Sequence, residues 1–186
     1  MEIEKTSLPG VLLVKPVIHG DDRGFFVETY HSEKYAELGL EATFVQDNHS
    51  KSKKGTLRGL HGQDRRPQGK LVRCSAGEIF DVAVDTRIGA PTFGKWVGFH
   101  LSSENHHQLY IPPVYLHGFY VLSEVAEVQY KCTDVYDAEH QLTVAWDDPA
   151  IGIDWPLDGA PLLSAKDAGA AALSEVRDRL PLWSED

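Results

Sequence analysis

This chain has little sulfur and no long apolar run. It holds one methionine and two cysteines in 186 residues. Cys74 and Cys132 sit in separate apolar stretches with no CxxC spacing, which reads as two buried free thiols in a reducing compartment. No apolar run approaches the ~20 residues that span a bilayer, and no basic stretch followed by an apolar one opens the chain, so neither a membrane span nor a signal peptide is expected. Internal repeats and low-complexity linkers are missing too. Positive charge is scarce, with 18 Lys and Arg against 28 Asp and Glu and a net charge of −10. That balance excludes a general nucleic-acid binder. The reading is a cytoplasmic protein with a single domain over 1–186.

The scarce positive charge is crowded. Residues 51–73 (KSKKGTLRGLHGQDRRPQGKLVR) hold eight Lys or Arg and one Asp, a net of +7. Such crowding is self-repulsive and calls for a ligand of concentrated negative charge, such as a diphosphate. Inside it lies His61, flanked by Arg58 and Lys70. Histidine titrates near neutrality, so a base beside an anion site is one reading. A half-buried strand histidine satisfied by a hydrogen bond is the other, and local sequence does not separate them.

Short apolar or alternating runs fill the chain: Val11–Val17, Phe25–Tyr30, Phe44–Asp47, Leu71–Cys74, Ile79–Asp85, Gly94–Leu101, Gln108–Ile111, Gly118–Leu122, Ala126–Cys132 and Leu142–Trp146. Turn signals such as Gly20-Asp21-Asp22, Gly89-Ala90-Pro91 and Pro112-Pro113 separate them. Many short strands at this spacing predict an all-β sandwich or barrel, spanning about 10–150. In Ile79–Asp85, Phe80, Val82 and Val84 take one face, and Asp81, Ala83 and Asp85 the other. Two helices are expected: Ser32–Leu40, capped by Ser32 and ended near Gly39, and a segment from Ala165 to about Arg179. Ser164 caps the second, with Asp167 at the capping-box position.

Other residues hold two readings each. His117 follows a Pro-Pro turn and lines a pocket or packs in the core. Tyr130 is a core phenol or a proton donor. Asp167 caps its helix and could also orient a histidine, because a carboxylate near a helix N-terminus stays ionised. Arg23, Glu28, Gln46, Asp47 and Asn48 are turn and strand-end residues or hydrogen-bonding groups for a nucleobase. A metal site is unsupported. No His-x-His is present at His61-Gly62-Gln63, and the adjacent His106 and His107 would point to opposite faces of a strand.

In order along the chain, GDDRGFF, FVQDNHS, LRGLH, QGKLVR, GEIFDVAVD, APTFGKW, LSSEN, IPP and HGF, YKCTD, GIDWP and LSAKD resemble the dTDP-4-dehydrorhamnose 3,5-epimerase family from about Gly10 to Asp167. The resemblance implies a cupin-like jelly roll with a few short peripheral helices, a homodimer, no metal and no organic cofactor. It implies a dTDP-linked 4-keto-6-deoxyhexose as substrate. His61 then matches the base, Asp167 its carboxylate partner, Tyr130 the proton donor and Lys70 the lysine facing the ketone. Arg58 and His117 match the sugar–diphosphate pocket. Arg23, Glu28, Gln46, Asp47 and Asn48 match nucleotide-binding positions, some acting across the dimer interface. Lys166 matches a substrate contact. Three departures lie near the expected sugar or base: Gly62 where an aromatic is usual, Val135 leaving Tyr136 alone of an aromatic pair, and Gln141 for a glutamate. Gly62 is expected to enlarge the pocket, so epimerisation at a single carbon or action on another nucleotide-linked 4-keto sugar, a heptose included, stays open. A metal-dependent cupin enzyme and a non-catalytic sugar-nucleotide module are the rival classes.

Overall fold

A computed structural model describes residues Met1–Ser184. Thirteen strands are formed: β1 Glu2–Lys5, β2 Leu12–Lys15, β3 Ile18–Asp21, β4 Gly24–Val27, β5 Gln46–Lys53, β6 Leu57–Gln63, β7 Lys70–Ala76, β8 Glu78–Asp85, β9 Trp96–Ser102, β10 Gln108–Ile111, β11 Tyr115–Val121, β12 Val125–Cys132 and β13 Gln141–Thr143. Helix α1 covers Ser32–Glu37 and α2 covers Ala165–Ala168. One sheet runs β1-β2-β10-β7-β12-β5 and the other β13-β6-β11-β8-β9, all pairs antiparallel, with β3 and β4 forming a separate hairpin.

The two sheets face each other over a core drawn from both. Val72, Leu109 and Val128 come from the six-stranded sheet; Ile79, Ala83, Leu101 and Phe119 come from the five-stranded one. Each of the Val, Leu, Ile and Phe side chains among these, taken out of water, contributes about 1.5–3 kcal/mol. Strand β8 is buried on both faces, as its apolar run requires. Its Phe80, Val82 and Val84 pack outward under the C-terminal segment, against Trp155, Leu173 and Leu180. On the far side of the other sheet, α1 and its flanks cover Leu12, Val14 and Leu71 with Tyr35 and Leu40. This is the expected all-β, cupin-like jelly roll. No described helix is long and apolar enough to cross a membrane. Both cysteines are free and buried.

The helices are shorter than expected. The segment expected as a helix to Arg179 stops at Ala168, with Gly169 as its C-cap. Ala171 then pairs with Val144, and the Leu173 amide donates to Asp148 Oδ2 at 2.6 Å. Tertiary partners for the backbone outcompete helix propensity there. A 3₁₀ turn, Arg177–Arg179, follows. Helix α1 is capped by His31 rather than Ser32, without a side-chain bond. The expected strand Phe44–Asp47 is displaced into β5, which is polar along its length.

Candidate active site

One cavity, of about 390 Å³, opens between the sheets. Its first wall is built by β6 and β11. Arg58 and His61 stand three residues apart, so a regular strand would send them to opposite faces. A register shift between β6 and β11 removes the conflict: His61 pairs with His117, but Arg58 pairs with Phe119. The extra residue on β6 makes a bulge that turns both side chains into the cavity. Glycine permits it. A Cβ on Gly59, at φ +125°, would come within 2.6 Å of Gly118 Cα.

The opposite wall is built by β5, β7 and β12. The period of two on β5 brings Gln46, Asn48 and Ser50 inward, with Lys70 from β7 and Tyr130 from β12. His61 and Tyr130 therefore line one cavity from different sheets.

Behind His61 lies Asp167. His61 Nε2 sits 2.6 Å from Asp167 Oδ1, and the carboxylate is 4% exposed. Ser164 Oγ donates to Asp167 Oδ2 at 2.8 Å while accepting from the Asp167 amide at 3.1 Å. Burial pushes this carboxyl up, but the bonds from His61 and Ser164 outweigh it and hold it below the ordinary range. An ionised carboxylate can only accept, so the shared proton belongs to Nε2 and the His61 lone pair to Nδ1.

Lys70 is 8% exposed, with Nζ 3.5 Å from the His61 carbonyl. Burial lowers its pKa, opposed by Cys132 and Asp81. Burial also lowers that of His117, whose Nε2 lies 2.7 Å from Asp81 Oδ1. Tyr130 packs edge-on against His117, ring centroids 6.3 Å apart. Burial raises the Tyr130 pKa and so keeps the phenol protonated.

Tyr136, Gln141 and Lys166 meet at the mouth. Gln141 Oε1 accepts from Tyr136 Oη at 2.7 Å and from Lys166 Nζ, and the Tyr136 amide donates to Gln46 Oε1 at 2.8 Å. Beyond this bridge a second hollow, lined by Thr56, Leu163 and Lys166, shares Arg58 and His61 with the first.

Several of the expected residues lie outside this cavity in the single chain. Asp47 faces away from the cavity and pairs with Lys131 at 2.9 Å, because it alternates with Gln46 and Asn48 on β5. Arg23 lies on the hairpin against Asp21, and Glu28 pairs with Lys34 at 2.8 Å; neither reaches the cavity within one chain. The basic stretch divides. Arg58 and Lys70 line the cavity, but Lys51 pairs with Glu127, Lys54 with Asp158 and Arg66 with Asp134. Arg73 lines a separate hollow with Asp47 and Gln129. Gly62 lines the cavity through its backbone, but the side chain it lacks would point away from it. A Cβ there would stand 3.0 Å from Leu116 Cδ2, a residue of the outer core.

Sequence reasoning missed Gln63 and Asp81. Gln63 is 7% exposed; it donates to the Arg66 carbonyl at 2.8 Å and accepts from the Asp137 amide at 3.0 Å, tying down both loops at the mouth. Asp81 was legible only as a polar residue in an apolar strand. Among the described residues, no group of three His, Cys, Asp or Glu is placed to hold a metal ion.

Comparison with known proteins points one way. The dTDP-4-dehydrorhamnose 3,5-epimerase family profile matches residues 5–175. The dTDP-4-dehydrorhamnose 3,5-epimerase of Salmonella typhimurium is 54% identical over 178 residues, covering 95% of this chain and 97% of its own. That of Methanothermobacter thermautotrophicus is 49% identical, covering 92% and 94%. The Legionella pneumophila epimerase RmlC, solved in complex with dTDP-4-keto-L-rhamnose, superposes with a TM-score of 0.96 at 49% identity and 99% coverage of both chains. ChmJ, a 3′-monoepimerase from Streptomyces bikiniensis solved with dTDP-quinovose, superposes at 0.89 with 34% identity, covering 95% and 91%. By sequence and by fold alike, the chain belongs to the dTDP-4-dehydrorhamnose 3,5-epimerase family.

Proposed function

We propose that this cavity inverts C3 and C5 of dTDP-4-dehydro-6-deoxy-D-glucose, giving dTDP-4-dehydro-L-rhamnose, with side chains alone moving the protons. The C4 ketone acidifies the hydrogens on both neighbouring carbons. His61 Nδ1 takes one of them, and the C–H electron pair passes into an enolate whose charge falls on the C4 oxygen. The Lys70 ammonium faces that oxygen and stabilises it. Tyr130 returns a proton to the carbon from the opposite face, which inverts the centre. The phenolate then regains a proton from solvent and the imidazolium loses one, so the enzyme is restored before the second carbon reacts. Asp167 holds His61 in the tautomer this requires. One general acid or base supplies ~10²–10⁴-fold.

The observation that carries this reading is that His61 and Tyr130 line the same cavity from opposing sheets, with Lys70 buried at its wall. Arg58 and His117 take the sugar diphosphate. Gln46, Asn48, Tyr136, Gln141 and Lys166 take the nucleotide and close the mouth.

The working unit in this proposal is a homodimer in the cytoplasm. Phe25 and Phe26, adjacent on the hairpin, are 62% and 69% exposed and would be covered in such a dimer. The hairpin, with Arg23 and Glu28, would reach the nucleotide of a second copy.

Proton NMR of the products formed from dTDP-, CDP- and GDP-linked 4-keto sugars tests the proposal. Double inversion of the dTDP-linked hexose is expected. Inversion at one carbon would establish a monoepimerase, and turnover of none would refute the reading.

A further inference from the structure

We infer that Asp81 is a positioning residue for this reaction: a sealed carboxylate that fixes the His117 tautomer and supplies the negative charge facing Lys70. The inference rests on the roles proposed above for Lys70 and His117.

Asp81 sits in the middle of β8 with 0% exposure. Its neighbours on the inner face of that strand are Ile79 and Ala83, both in the apolar core. One carboxylate oxygen is satisfied: Oδ1 lies 2.7 Å from His117 Nε2. The other, Oδ2, is buried with no hydrogen-bond partner among the described residues. A carboxyl oxygen left unpaired in the interior is unfavourable, and native cores rarely keep one. Packing gives it no reason to be there. Beside it stand two residues of the proposed site, His117 from β11 and Lys70 from β7, and the core thiol Cys74.

Two consequences follow from elementary chemistry. First, a carboxylate accepts, so His117 carries its proton on Nε2 and leaves Nδ1 as an acceptor. Second, Lys70 must remain an ammonium while buried. Burial works against it, and Cys132 and Asp81 are the acidic groups that work for it. The Cys132 thiol is itself pushed up by burial and stays neutral at ordinary pH. Asp81 is then the acidic group this inference assigns as the counter-charge of Lys70. It is not hydrogen-bonded to Lys70, whose Nζ contacts the His61 carbonyl. The ammonium is thus sustained without being engaged, and it keeps its donors for an enolate oxygen.

The experiment is Asp81→Asn in the full-length chain. The substitution keeps the shape and removes the charge. A fall in kcat of about 10- to 100-fold is expected, the range for losing the carboxylate behind a functional histidine. KM should stay within about threefold. The alkaline limb of kcat should move to lower pH as Lys70 loses its counter-charge, and thermal stability should not fall. A purely structural Asp81 would instead lower stability and leave the alkaline limb in place, which overturns the inference; so does a wild-type rate with a wild-type pH profile. Nitrogen-15 NMR of the unmutated protein provides a check that needs no variant: the His117 ring should show Nε2–H, and the Nδ1–H tautomer would contradict the inference. If Asp81→Asn is normal while His61→Ala is inert, the inference alone fails. If His61→Ala still exchanges substrate protons, the proposed function fails first.

Discussion

His61 Nε2 and Asp167 Oδ1 meet at 2.6 Å although 106 residues separate them along the chain. The C-terminal segment is laid against β6 to make this contact. The Leu57 amide donates to the Leu162 carbonyl at 3.0 Å, and the Leu162 amide to the Gly55 carbonyl at 2.8 Å. The tail therefore completes the site as well as covering the core.

Asp167→Asn should leave dTDP affinity unchanged, since the carboxylate lies behind His61 and not among the groups proposed for the nucleotide. The amide can no longer hold the required tautomer, and kcat should drop ~10²-fold or more. Calorimetric titration with dTDP beside steady-state rates checks both halves. An unchanged kcat would remove Asp167 from the mechanism.

The same carboxylate links stability to pH. Its folded-state pKa lies below that of the unfolded chain, about 3.9. Its contribution is present above that unfolded value and is lost as pH falls through the lower folded value. Urea unfolding below about pH 4 should show a steeper loss of stability in the wild type than in Asp167→Asn. Parallel curves would contradict the shift.

Tyr130→Phe should impair reprotonation more than deprotonation. Substrate in heavy water should still lose its C–H protons, while inverted product accumulates slowly. Full-rate epimerisation would reassign the donor.

Gly62→Ala tests where that residue points. Its Cβ would meet Leu116 Cδ2 at 3.0 Å, so overpacking should lower stability by about 1–3 kcal/mol. KM for the sugar nucleotide should change little. A large change in KM with unchanged stability would show that the added methyl enters the pocket.

Tyr35 and Tyr115 are both pushed up to about 12, chiefly by burial. Each gives stability that is whole below the unfolded value near 10 and is lost as pH rises through about 12. Absorbance titration should show these two ionising late among the seven tyrosines. Early ionisation of all seven would contradict their burial.

The apolar strands were legible because β7, β8, β10 and β12 carry the runs that a buried sheet needs. Strand β5 was not, since QDNHSKSK has no apolar alternation and is held by its pairing with β12. That alternation also explains why Asp47 left the site and why Lys51 and Lys53 face outward. A period of two splits any charged cluster between faces. His61 stayed ambiguous from its neighbours alone; the ordered motifs, not the local spacing, pointed to His61, Lys70, Tyr130 and Asp167. The Asp81–His117 pair depends on the register of β8 against β11, which the sequence does not display. Gly62 was misread because its face depends on the bulge beside it.

The most direct test is deuterium uptake from heavy water into C3 and C5 of dTDP-4-dehydro-6-deoxy-D-glucose, compared between wild type and His61→Ala. The account predicts label at both carbons with the wild type and at neither with the variant, dTDP affinity being equal. Label entering at the same rate in both proteins, or in neither, would contradict it.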